Sequence, residues 1–119
     1  MADQVQLYGA VAEYVRRTYG GDFEVRDSSV TVGVAAQDLV GANPNRAALV
    51  IVNNSVNTLR VAVRSEPSAS NGIVLNASGG LLALNMIEDL LLPSYGWRAI
   101  ASGAGSQVYV LEVILFSHN

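Results

Sequence analysis

The side chains in this 119-residue sequence that could do chemistry are few, and their spacing does not gather them. A Ser-His-Asp triad would have to use His118, the only histidine, which sits one residue from the end of the sequence where chains fray, and no serine lies in a G-x-S-x-G elbow. The absence of cysteine removes thiolate metal sites, disulfides and cysteine nucleophiles together. No HExxH, paired histidines or calcium-loop spacing is present. Of the neighbouring carboxylates, Asp22/Glu24 lie in a strand-like stretch and Glu88-Asp89 read as a solvated turn. Gly103-Ala104-Gly105-Ser106 lacks the lysine of a phosphate loop and leads into a strand, so it reads as a hairpin turn. The sequence therefore assigns no catalytic, cofactor or metal residue, and the expectation is a protein that is not an enzyme.

Composition points toward assembly. Half of the residues are hydrophobic and 14% are charged, against about 25% in an average soluble domain, which leaves few charges for a free surface. The ten acids and seven bases give a net charge of -3, and every base is an arginine. Nucleic acid is disfavoured as a partner because no basic stripe is present. Arginine without lysine fits either coding bias or planar bidentate contacts at interfaces. The longest apolar stretch, Val108 to Phe116, is interrupted by Glu112 and falls short of a membrane span, and the first ten residues lack a signal-peptide pattern, so a soluble protein is expected.

The elements that must position any site follow from periodicity. From Asp3 to Tyr19, the residues Tyr8, Val11, Ala12, Val15 and Tyr19 recur on one helical face, with Asp3 as N-cap, Arg16-Arg17 in the last turn and Gly20-Gly21 as the stop. Beyond Gly21 the period falls to two. Phe23 and Val25, then Val30, Val32 and Val34, read as half-buried strands. Gly41 to Asn45 is a turn cluster, and Ala47 to Val52 has the length and branching of a central strand. Leu59, Val61 and Val63 alternate with Arg60 and Arg64, giving a strand expected to form a hairpin with the one before it across Asn53–Thr58. Further strands are expected at 73–75, 81–87, 90–92, 97–101 and 107–116. The fold class is mainly β: an antiparallel β-sandwich over residues 22–119, preceded by a short α-helical arm over 1–21.

The last strand carries the clearest signal. Tyr109, Leu111, Val113 and Leu115 form one apolar face, and Val108, Val110, Ile114 and Phe116 surround Glu112 on the other. A sheet covers one face of such a strand, so the second must meet the helix, another subunit or a larger surface. Trp97 and the tyrosines are expected in core or subunit packing, with a carbohydrate or peptide groove as the alternative. Arg46, just after the turn cluster, is placed to donate to carbonyls of that turn or to form an intersubunit ion pair.

The order of several short motifs resembles that of small structural proteins of tailed-bacteriophage virions: Asn43-Pro44-Asn45-Arg46 leading into Ala47–Val52 and Asn53, then Asn71-Gly72-Ile73-Val74-Leu75, and Trp97-Arg98-Ala99-Ile100-Ala101 before the final apolar strand. The resemblance spans about residues 28 to 113. It implies a jelly-roll-like sandwich acting as a capsid decoration (cement) protein, or as the base of a head fibre or other appendage. It further implies binding to the major capsid protein, a homo-oligomer with a trimer favoured, and a place on the virion surface after assembly in the host cytoplasm. It brings no catalytic residues. The residues expected at interfaces are Tyr8, Val11, Val15 and Tyr19 of the helix, Arg46 and Trp97, and Val110, Ile114 and Phe116 of the last strand.

Overall fold

The computed structural model describes residues 2–117, with the backbone alone at 2–8, 12 and 117. Helix α1 (Ala2–Tyr19) ends at Gly20, whose φ of +78° suits a residue without Cβ. Eight strands follow: β1 (Gly21–Val32), β2 (Gln37–Val40), β3 (Arg46–Asn53), β4 (Leu59–Ala62), β5 (Ile73–Leu75), β6 (Leu81–Asn85), β7 (Trp97–Ala101) and β8 (Ser106–Ser117). Between β6 and β7 lie the short helix α2 (Met86–Asp89) and a 3-10 turn (Leu92–Ser94).

The strands form two four-stranded antiparallel sheets. The first runs β1-β8-β3-β6 and the second β2-β7-β4-β5. Strand one pairs with eight, two with seven, three with six and four with five. The chain thus folds as one long hairpin doubled onto itself, and every connection except β4–β5 passes between sheets. Eight strands arranged this way are a jelly roll. The mainly β, antiparallel sandwich with an N-terminal helix is therefore present as expected.

Period two explains the core. Inward residues Leu49 and Ile51 of β3, Leu59 and Val61 of β4, Ala99 of β7 and Val108 of β8 are fully buried between the sheets, joined by Val110, Leu75, Leu84 and Trp97. Burial of large aliphatic side chains of this kind stabilises by about 1.5–3 kcal/mol each relative to exposure. Polar residues belong to this interior as well: Ser106 is fully buried, its Oγ donating to Gly103 O (2.8 Å). Asn53, also fully buried, directs Nδ2 to the carbonyls of Asn57 (2.8 Å) and Leu75 (2.9 Å), while its Oδ1 accepts from the Ser55 N–H and hydroxyl, locking the crossing from β3 to β4.

Several expectations are corrected. Asn53–Thr58 is not a hairpin turn: β3 and β4 belong to different sheets, and β4 pairs with β5 and β7. Gly103–Ser106 likewise carries the chain from β7 in one sheet to β8 in the other. Phe23–Arg26 and Val30–Val34 are not separate strands. β8 holds Asp27-Ser28-Ser29 in register between them, and the strand stops at Val32. Residues 86–92 are not strands because Asn85 caps α2, its Oδ1 accepting from Ile87 and Glu88 N–H, and Pro93 then imposes a turn. β2 was not expected.

Candidate functional site

The face of the first sheet that points away from the core is the feature a jelly roll does not need for its own stability. Paired residues lie on the same side of a sheet, so the register fixes the rows. Across the sheet these are Val25–Val113–Ala48–Asn85, Asp27–Leu111–Val50–Ala83 and Ser29–Tyr109–Val52–Leu81, with Phe23–Leu115 beyond the first. Val50, Val52, Leu111, Val113 and Leu115 are half-buried by their neighbours alone and stand outside the core cluster. At the margins Val25 is 65% and Leu81 58% exposed. Contiguous apolar faces of this kind are a general mark of interaction surfaces, which makes this one the candidate site.

Two features extend it. The α2 segment abuts one end, where Met86, Leu90 and Leu91 share a groove with Ala47 and Leu115. Ile87 and Leu90 are 73% and 74% exposed, and Leu90 holds φ +57°, a conformation costly for a residue of its kind. At the other side Val11 and Val15 of α1 line a groove with Phe23, Val25 and Phe116, and the Tyr19 and Phe23 rings meet at 5.6 Å. An ion pair between Arg16 and Asp22 (3.0 Å) closes the bend between helix and strand. On the face itself, the Tyr109 hydroxyl donates to Asp27 Oδ2 (2.8 Å), and this bond lifts the phenol above its usual range.

The residues expected at interfaces divide sharply. Val110 and Ile114 point inward and are buried within one chain, so the outward face of β8 is the other one: Tyr109, Leu111, Val113 and Leu115. The reason is Arg46. Glu112 lies on the inner side, where Arg46, 4% exposed, meets its Oε1 with Nε (2.8 Å) and Nη2 (2.7 Å) and also donates to the carbonyls of Gly41, Pro93 and Tyr95. Arg46 thus reaches the Gly41–Asn45 turn, as expected, while its ion pair is made within the chain. Trp97, 2% exposed, faces the core and donates from Nε1 to Leu92 O (3.2 Å). It offers no free indole plane. Val11, Val15 and Phe116 line the helix groove, Tyr19 meets the Phe23 ring, and the side chain of Tyr8 lies outside the described residues, as does His118.

Sequence reading missed Val50, Val52, Leu81, Ile87 and Leu91 as surface residues. The available signal was the Leu90-Leu91-Leu92-Pro93 run, too apolar for the turn its proline demands. Glu88 and Asp89 form the first turn of α2, with Asp89 Oδ2 accepting from Asn85 N–H. Among the described residues no three His, Cys, Asp or Glu side chains could hold one metal ion, and no helix is long and apolar enough to cross a membrane. No family model matches the chain, nor does any curated protein or solved structure.

Proposed function

We propose that this protein is a non-enzymatic structural component of a tailed-phage virion, a decoration or cement protein that binds the assembled capsid through the outer face of the first sheet. The observation that carries this reading is that apolar face, contiguous over β8, β3 and β6, with α1 described only at its β1 margin beside Phe23 and Val25. Jelly rolls serve in capsids and in lectins, and fold alone does not choose between them. The face favours protein–protein packing, and burial of Trp97 removes the one indole that a glycan groove could use.

The mechanism is mass action. A protein that binds the assembled shell and not its free subunits stabilises the shell by its binding free energy, with no chemical step. A standard interface of about 1,600 Å² suffices, repeated at every symmetry-related site.

Sedimentation of the full chain with purified phage capsids tests this. The chain is expected to pellet with assembled shells and to stay in solution with unassembled capsid subunits, and Leu111→Arg is expected to lose the association while keeping its β-type circular dichroism. Failure to pellet with shells, or unchanged pelleting of Leu111→Arg, overturns the proposal.

A further inference from the structure

β1 has β8 on one side and no strand on the other along its twelve residues. An open edge invites another strand, and proteins blunt such edges with proline, lysine, bulges, short length, charged side chains or a covering helix. β1 has no proline, lysine or bulge; α1 flanks its first residues, with Val11 and Val15 lining a groove beside Phe23 and Val25, and the strand's charges beyond that bend are Glu24, Arg26 and Asp27. Its register with β8 is unbroken from Gly21 to Val32, neither proline nor lysine occurs in it, and its residues from Glu24 to Ser29 are all exposed.

The charges along this edge are self-complementary. With a second copy laid antiparallel about a two-fold axis normal to the sheet at Val25, Glu24 faces Arg26 of the second copy and Arg26 faces its Glu24, while the two Val25 side chains meet on the outer face. Within one chain Glu24 and Arg26 already pair at 3.2 Å. The two-fold arrangement therefore makes a quartet in which charged neighbours alternate in sign. Sliding the pairing by two residues either way sets Glu24 against itself or Arg26 against itself, and like charges directly opposite are destabilising. The register is thus selected by charge. A one-residue slip would turn the apolar face of one copy to the wrong side.

We infer that β1 is a homodimerisation edge, pairing antiparallel with β1 of a second copy through the Glu24–Arg26 quartet. The axis keeps both outer faces on one side, so the dimer displays an eight-stranded apolar surface twice as wide as one chain provides. The pairing is isologous, each copy giving and receiving the same contacts. It does not rest on the virion reading.

Light scattering on a size-exclusion column, with the full chain at micromolar concentration, reads the result directly. The wild type is expected at twice the 12.5 kDa chain mass. Glu24→Arg should weaken dimerisation about tenfold or more by opposing guanidinium groups while leaving Arg26 opposite Glu112 of its own β8, and mixing Glu24→Arg chains with Arg26→Glu chains should restore a dimer because each supplies the sign the other lacks. In a chain without other cysteines, Val25→Cys should oxidise to a covalent dimer, since directly opposite strand residues lie within disulfide range, whereas Ser29→Cys should not. A wild-type monomer or trimer, a dimer indifferent to Glu24→Arg, a mixture of the two variants that stays monomeric, or Val25→Cys that fails to cross-link overturns the inference.

Discussion

The outward rows of the first sheet hold Val113, Leu111, Val50 and Val52, whereas those of the second hold Asp38, Arg98, Arg60 and Ile100. In the second sheet Arg98 bridges Asp38 (2.6 Å) and Glu66 (3.5 Å), and all three side chains are substantially exposed. Both sheets have the same strand number and share one core. They differ in what their outer residues are suited to meet. Mobile charge pairs on an exposed face add little to stability, and a face with no charge across three strands is suited to the cover that the proposed docking would give it.

The comparison extends beneath the faces, where the largest effect is expected. Arg46→Ala should lower unfolding stability by about 3–5 kcal/mol in denaturant titration, because it strands Glu112 on the inner side and orphans three carbonyls. Arg98→Ala removes an ion pair of similar length at the surface (2.6 Å against 2.7 Å) and should change stability by about 0–1 kcal/mol. Equal losses would erase the distinction between the two regions.

Between these lies the effect on binding. Leu111→Arg should weaken association with capsids by about 30-fold or more, a hot-spot loss of about 2 kcal/mol, whereas Ile100→Arg on the second sheet should leave it unchanged. A matching loss at Ile100 would mean that both faces dock. The smallest effect concerns Tyr109. Its hydrogen bond to Asp27 favours the neutral phenol, so the contribution is complete below the usual tyrosine range near 10 and fades as pH rises through the lifted value. Spectrophotometric titration of the wild type against Tyr109→Phe should show that the lost phenol ionises above its usual range, and Asp27→Asn should bring it down.

Residues whose pattern was decided locally were legible in the sequence. Trp97–Ala101 and Ile73–Leu75 have the expected bounds, Ala47–Val52 falls within β3, and the helix stops at the glycine pair. What depended on distant partners was not. Asp27-Ser28-Ser29 reads as a break yet stays in β1 because β8 lies beside it, and the hairpins expected from closeness in sequence gave way to pairing across the doubled chain. The sidedness of β8 was hidden for the same reason. An isolated Glu112 argues for water, and only an arginine 66 residues earlier in the chain makes its burial tolerable. With both faces of β8 apolar, periodicity established that cover was needed and left open which side supplied it.

The position of β8 also governs how the molecule comes to be. It lies between β1 and β3, and β1 has no other strand partner, so residues 21–32 find no place in a sheet until residues 106–117 exist. A chain interrupted before Ser106 would carry a long unpaired strand and an unroofed apolar layer, the kind of species that aggregates. Pairing across so many residues makes loop closure the slow step, and folding belongs to the millisecond-to-second range of high contact order. The feature that holds the finished sandwich together is therefore also the one that keeps it from forming piecemeal.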